Sequence, residues 1–331
     1  MRAIEFHGQE RLELVERPDP TPGEGQLLIT PTAVGICGTD IEIFEGSLAY
    51  FRMGLAEFPI VPGHEWTGTV VDVGRGVTGF APGDRVVGEV AIGCGVCERC
   101  RAGRHHLCAR RTETGIVHMD GAMASLMVFP AAFAHRVELE PRAGALVEPT
   151  SVALHAVRRG RVAGQRVQIV GAGPIGLLAA QCARAEGAAS VVISDTREDR
   201  LALAGTLGFD PAPPAGEHDL IDIAILCAGG PAAIAAAFEA VRPGGTVVAL
   251  GLSGKPTIPF DFDGMVVRDI DLVGVLGSVG YWPDAIRLIT SGAVETEPVV
   301  TATFGLEHAR DALEQLVKPG TLKVLVCPTM S

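Results

Sequence analysis

Aromatic side chains are scarce in this sequence, with two Trp, two Tyr and twelve Phe among 331 residues. Positive charge is scarce too. Lys and Arg number 27 against 39 Asp and Glu, for a formal net charge of -12, and arginine outnumbers lysine. No basic block offsets that balance, which argues against a general nucleic-acid binder, because phosphates are held mainly by basic side chains. No run of eighteen or more apolar residues continues without a break, so nothing reads as a membrane span. The opening stretch MRAIEFHGQERLELVERP turns acidic almost at once and lacks the apolar middle and small-residue cleavage site of a signal peptide. The expected location is therefore the cytoplasm. There is no internal repeat at a fixed period and no low-complexity segment.

At 331 residues, 47% of them apolar, the chain is long enough for two domains with a sizeable core. Residues 1–145 carry short β-branched runs such as QLLIT, GTVVDV and DRVVGEV, separated by turn signals such as APGD. That punctuation predicts a β-rich domain. From 146 the texture changes to apolar strands alternating with alanine-rich helices, as in RVQIVGAGPIG, LLAAQCARAEGA, SVVISD and DIAILCAGG. Such alternation predicts βαβ units and a parallel sheet, hence an α/β fold class.

The segment QIVGAGPIG sets Gly171, Gly173 and Gly176 as G-x-G-x-x-G directly after a strand and at the start of a helix. The first glycine allows the tight turn, the second admits a pyrophosphate, and the third lets helix and strand pack closely. Pro174 suits the first helical turn, where its missing N–H costs nothing, and Ile175 completes the loop. The next strand ends at Asp195, placed to accept a hydrogen bond from an adenosine ribose 2'-hydroxyl and to repel a 2'-phosphate. The spacing therefore favours NAD over NADP, although Arg197 and Arg200 nearby suit a phosphate if Asp195 turns away.

Half of the eight cysteines, Cys94, Cys97, Cys100 and Cys108, fall in GCGVCERCRAGRHHLC. Four thiolates in one short loop do not make two unstrained disulfides easily, but they close tetrahedrally around one zinc with no open position, a structural site. Arg99, Arg101 and Arg104 sit where they offset its negative charge, and His105 and His106 read as solvated loop residues. Elsewhere, Cys37 in VGICGTD, His64 in VPGHEW and Glu148 in LVEPTSVALH each have an ordinary structural explanation: a buried thiol, a satisfied histidine, an acidic residue near a domain boundary. Together they offer sulfur, nitrogen and oxygen ligands, a set that holds zinc while leaving a fourth position for water or substrate.

GICGTD, GHEWTG, the four-cysteine loop, EPTSVALHAV and GAGPIG stand in an order and at spacings that together resemble the zinc-dependent medium-chain alcohol and polyol dehydrogenases over nearly the whole chain. The resemblance implies a GroES-like β-barrel catalytic domain, residues 1–145 with 293–331 returning to it, and a Rossmann domain with a doubly wound parallel sheet over 146–292. It implies two zinc ions per chain. Cys37, His64 and Glu148 match the catalytic ligands, with Glu65 able to ligate when substrate is absent and expected to leave during turnover. Cys94, Cys97, Cys100 and Cys108 match the structural site. Thr39 matches a proton-relay hydroxyl and Asp40 a carboxylate orienting the zinc-bound histidine. The glycine loop from Gly171 through Pro174 and Ile175 to Gly176, with Asp195 and Arg200, matches the NAD contacts.

Glutamate at 148 points to the sorbitol, polyol and sugar branch. The expected reaction is hydride transfer from a secondary hydroxyl of a polyol, sugar or cyclitol to NAD, giving a ketone or lactone. L-Threonine 3-dehydrogenase, whose relatives share CGTD, and a general secondary-alcohol dehydrogenase are the alternatives, and a non-catalytic zinc- and nucleotide-binding protein stands further off. Two departures stand out. Glu42 replaces a histidine common at the outer end of the relay, and Gly277 and Ser278 replace an Arg-Tyr pair found in sorbitol dehydrogenases. Glu113, Arg52 and Tyr50 are candidate substrate contacts. A homodimer or homotetramer joined through the apolar strand DIDLVGVLGS is also implied.

Overall fold

A computed structural model describes residues 1–212, 221–252 and 257–330. Two compact units emerge: Met1–Glu148 with Trp282–Ile286 and Val299–Ser331, and Pro149–Tyr281 with Arg287–Pro298.

In the first unit a seven-stranded sheet runs Val300–Gly305, Lys323–Cys327, Gln26–Gly35, Glu65–Val73, Arg85–Gly88 and Ala134–Arg136, with Met127–Pro130 also pairing along Gln26–Gly35. The long strand Gln26–Gly35 alternates buried and half-buried positions, the period-2 signature of a strand with one face on a core. It is also the organising strand, because the C-terminal Lys323–Cys327 pairs with it antiparallel, Leu325 opposite Gly35 and Val326 opposite Val34. The core beneath holds Trp66 and Phe129 edge to face, centroids 4.9 Å apart. Gly88 makes room for them: a Cβ there would lie 2.3 Å from the Trp66 ring and 2.5 Å from that of Phe129.

The second unit is built on six parallel strands in the order Asp210–Pro211, Ser190–Ser194, Arg166–Val170, Ile221–Leu226, Val241–Ala249 and Asp271–Gly274. Numbered along the chain, that is 3-2-1-4-5-6, the doubly wound order in which ligands bind where the winding reverses, beyond the carboxyl end of the first strand. The glycine loop Gly171–Gly173 sits at that end and leads into the helix Pro174–Ala185. Residues Gly176 to Ala183 of this helix are all buried, Leu177 and Leu178 among small Gly176, Ala179, Ala180 and Ala183. Among the described residues no helix is long and apolar enough to cross a membrane.

Two close approaches fix the loop. Gly171 has φ +106°, a conformation L side chains rarely adopt. A Cβ on Gly176 would stand 1.8 Å from the Gly171 carbonyl oxygen. We expect Gly176→Ala to cost about 1–3 kcal/mol of stability through this overlap and to weaken dinucleotide binding. Urea unfolding and a fluorescence titration with NADH measure the two effects, and wild-type values in both would contradict this account of the loop.

Candidate metal centres and nucleotide loop

Cys37 is the N-cap of the helix Gly38–Glu45, and His64 immediately precedes the strand Glu65–Val73. Asp40, fully buried, joins these two elements. Its carboxylate accepts hydrogen bonds from the Cys37 backbone N–H at 2.8 Å and the Gly63 N–H at 3.3 Å, and one oxygen lies 3.6 Å from His64 Nδ1. That last separation is just too long for a hydrogen bond and leaves Nδ1 buried without a close partner. The result is a compact set: ligand atoms of Cys37, His64 and Glu65 all lie within 4.8 Å of one another. Thr39 Oγ1 stands 3.8 Å from Cys37 Sγ, and Glu42 follows one helical turn later, half-buried, its carboxyl pushed up by burial and by Glu45.

Glu148, the expected oxygen ligand, lies close enough to feel the charges of both His64 and Glu65. It lies buried in the first turn of the helix Val147–Gly160, where burial, then the charge of Glu65, pushes its carboxyl up to about 7. Glu65 stands with the thiol and imidazole, and Glu148 is an electrostatic neighbour of both His64 and Glu65.

Glu65 has a second tie that was not foreseen from the sequence. Lys323 Nζ, buried, reaches both its carboxylate oxygens at 2.7 Å and the Ile36 carbonyl at 3.0 Å. Gly35 leaves the space this needs, since a Cβ there would lie 2.2 Å from Glu65 Oε2. A lysine at a buried position of the apolar strand KVLVC was the available signal. Burial works against a charged lysine, but Glu65 prevails and raises its affinity for the proton. Burial likewise opposes protonation of His64, yet the Asp40 carboxylate and Cys37 raise its pKa well above the usual imidazole value. A half-buried thiol beside a buried imidazole and a buried carboxylate offers sulfur, nitrogen and oxygen donors to one cation, and the donor set suits zinc.

The four-cysteine loop has the geometry of a closed site. Sγ separations are 3.5 Å for Cys97–Cys100, 3.8 Å for Cys97–Cys108 and 4.0 Å for Cys94–Cys100. A tetrahedron with metal–sulfur bonds of about 2.3 Å has edges of about 3.8 Å. All four are free thiols that together form a group able to hold an ion. The arginine beside them is Arg110, whose backbone N–H reaches Cys108 Sγ at 3.4 Å and whose guanidinium pairs with Cys94. Arg99 instead donates to the Leu107 carbonyl.

His105 is not the solvated residue its position in the loop suggested. Its Nε2 lies 2.8 Å from Glu89, whose other oxygen is 3.0 Å from His135 Nε2. His135 stacks on Trp282 at 5.8 Å.

In the nucleotide loop, Asp195 accepts from the backbone N–H groups of Ala172 at 2.7 Å and Arg197 at 2.9 Å, with Arg200 Nη1 at 3.6 Å. Arg200 also overhangs the turn: its Nη1 is the atom nearest to where a Gly173 Cβ would be, at 3.8 Å.

Family models match in two places, the alcohol dehydrogenase GroES-like domain over residues 23–139 and the zinc-binding dehydrogenase over 174–291. The L-threonine 3-dehydrogenase of Saccharopolyspora erythraea is 37% identical over 319 residues, 92% of each chain. Human sorbitol dehydrogenase is 35% identical, over 98% of this chain and 95% of its own. The chain belongs to the zinc-dependent medium-chain dehydrogenases. Among solved structures, alcohol dehydrogenase TADH from Thermus sp. ATN1 matches at 30% identity and TM-score 0.88, covering 99% of both chains. A protein assigned as a zinc-binding dehydrogenase of Sinorhizobium meliloti 1021, bound to NADP, matches at 30% identity and TM-score 0.91 with the same coverage. The family brings zinc and a nicotinamide dinucleotide as cofactors and an oxidoreductase activity.

Two measurements probe the site of this dehydrogenase. Elemental analysis should give about two zinc ions per chain; Cys100→Ser should lose one and melt at lower temperature, and Cys37→Ser should lose the other with its melting temperature near wild type. Equal zinc content in all three proteins would refute both sites.

The second concerns Glu89. Burial would raise its pKa, but hydrogen bonds from His105 and His135 win and hold it below the ordinary carboxylate value. A depressed carboxyl stabilises the fold above its unfolded pKa and loses that contribution as pH falls through its folded pKa. Glu89→Gln should therefore destabilise the protein at neutral pH, and the difference should begin to shrink as pH falls below about 4 and go on shrinking through the lower folded-state pKa. A pH-independent difference in urea midpoint would show that the effect is not electrostatic.

Proposed function

We propose that the chain is an NAD-dependent zinc dehydrogenase oxidising a secondary hydroxyl of a polyol, sugar or cyclitol to the ketone, or to the lactone where the hydroxyl is anomeric. The observation that carries this reading is the cluster of Cys37, His64 and Glu65 within 4.8 Å, buttressed by Asp40. Zinc, when bound, supplies a Lewis acid toward the substrate oxygen. Thr39, beside Cys37, is placed to take the hydroxyl proton, and Glu42, one turn along the same helix face, to pass it outward. Lys323 holds the Glu65 carboxylate, so Glu65 has a partner ready when it is not a ligand, and Glu148 is the carboxylate next to it that can take its place.

Asp195 at the strand end supports NAD, because its charge opposes a 2'-phosphate. Sorbitol dehydrogenases among the relatives, and galactitol-1-phosphate dehydrogenase from Escherichia coli among the solved structures at 25% identity and TM-score 0.87, support a polyhydroxylated substrate. The threonine dehydrogenase relative keeps L-threonine as the second reading. The edge strand Asp271–Gly274, paired on one side only among the described residues, with Leu272 and Leu276 nearly half exposed, supports a homodimer or homotetramer joined along that edge.

The test is formation of reduced nicotinamide from sorbitol, myo-inositol, glucose, L-threonine and 2-butanol, each with NAD and with NADP. A polyol, sugar or cyclitol with NAD should give the highest kcat/KM, and Cys37→Ser should lower it by more than about 100-fold. Asp195→Ala should shift the preference toward NADP. Activity retained after complete removal of zinc would overturn the reading.

A further inference from the structure

Away from the proposed catalytic cluster, one buried charge joins the four-cysteine loop to the rest of its unit. The Glu89 side chain is 11% exposed, and among the described residues its carboxylate meets His105 Nε2 at 2.8 Å and His135 Nε2 at 3.0 Å, one on each oxygen. An ionised carboxylate only accepts, so both imidazoles donate to it through Nε2, and each ring is oriented by that bond.

The two histidines reach Glu89 from different segments. His105 opens the short turn His105–Leu107, between the third and fourth cysteines, and its carbonyl accepts from the Cys108 N–H at 2.9 Å. It also shares a tight space with a second sulfur: a Cβ on Gly93 would lie 2.5 Å from His105 Cβ and 2.7 Å from Cys100 Sγ. The position of His105 therefore follows the closure of the loop. His135 lies on the strand Ala134–Arg136, opposite Val87 of the strand that leads to Glu89. Its ring stacks on that of Trp282, centroids 5.8 Å apart and planes 8° off parallel. Trp282 is 1% exposed, belongs to the same compact unit and begins the helix Trp282–Thr290. Phe133 completes the group, its ring edge to face with His105 at 5.2 Å and its carbonyl accepting from the Glu89 N–H at 3.0 Å.

Resting on the reading that the sulfur loop holds zinc, which its tetrahedral spacing fits, we propose that Glu89 is a positioning residue that couples metal occupancy of this loop to the packing of Trp282. The closed loop presents His105 to Glu89, Glu89 orients His135, and the imidazole gives the indole the face it stacks on. Each member has few alternatives. If the loop opens and His105 withdraws, Glu89 keeps one donor of two, and a buried carboxylate short of donors is relieved by water or by movement. Movement of Glu89 releases the His135 ring, and Trp282 loses its stacking partner. The sulfur site is then a metal-responsive switch as well as a staple, because a metal bound where no chemistry takes place sets the first turn of a helix far along the chain.

The test follows zinc and tryptophan emission together while a zinc-binding dye strips the metal from full-length Cys37→Ser protein, in which the sulfur site is the one expected to hold zinc. The chain has two tryptophans, and Trp66, packed on Phe129 in the core, is the internal control. Emission should move to longer wavelength in step with zinc release, with the far-ultraviolet circular dichroism unchanged, and the shift should be lost when Trp282→Phe is added. Glu89→Ala should keep the zinc and lose most of the shift. His105→Phe, which retains a ring against Phe133 but has no donor for Glu89, should do the same and decides the matter if Glu89→Ala melts too low to measure. Zinc release without a shift overturns the coupling. So does a shift that survives Trp282→Phe, which would place the change at Trp66, or one undiminished in His105→Phe, which would reach Trp282 by another route. A Cys37→Ser protein that contains no zinc removes the sulfur site and the coupling with it, and leaves the dehydrogenase reading to its own test by turnover.

Discussion

The buried carboxylate of Asp40 is the constraint on which the rest of the site depends. A carboxylate removed from water must be met by donors, and Asp40 finds them on two separate segments, at the Cys37 and Gly63 backbones. Satisfying it brings the helix N-terminus that carries the thiol against the strand that carries the imidazole. The ligands come together partly because another group's desolvation is relieved by the same approach.

A second buried pair extends this logic to the far end of the chain. Lys323 and Glu65 neutralise each other in a setting where either alone would be expensive, and removing one partner of such a pair costs about 3–5 kcal/mol. The strand that delivers Lys323 is held in register by pairing with Gln26–Gly35, so the last strand of the chain is part of the site, although it supplies none of the expected ligands. Around the cluster, Cys37, Glu65 and Glu148 act on one lysine; the Asp40 carboxylate raises the proton affinity of His64 against its burial, and burial, then the Glu65 charge, raises the carboxyl of Glu148.

Much of this was legible in the residues. Four cysteines in sixteen positions leave few arrangements, because local chain geometry confines their sulfurs to one small volume, and the observed separations match a tetrahedral edge. The glycine loop was equally plain, since its requirements on φ and close approach operate within six residues. Less legible were features made by segments far apart. Glu65 and Glu148 are both acidic residues near the right motif, and no spacing rule tells that the two carboxylates come close enough for one charge to act on the other. His105 looked like a solvated loop residue because its partner, Glu89, is sixteen residues away, and Lys323 had no visible partner at all.

The sequence by itself determined the two sheets, the nucleotide loop, the sulfur site and the family, because each rests on periodicity or on chemistry confined to a short segment or a fixed order of motifs. The tertiary structure alone decided the company each charged group keeps: Glu65 beside the thiol and held by Lys323, Glu148 next to Glu65, Glu89 between two histidines, Glu113 paired with Arg111. The reason is physical. A buried charge takes its energy from whatever lies within a few ångströms, and the packing of strands and helices, not their order along the chain, sets those neighbours.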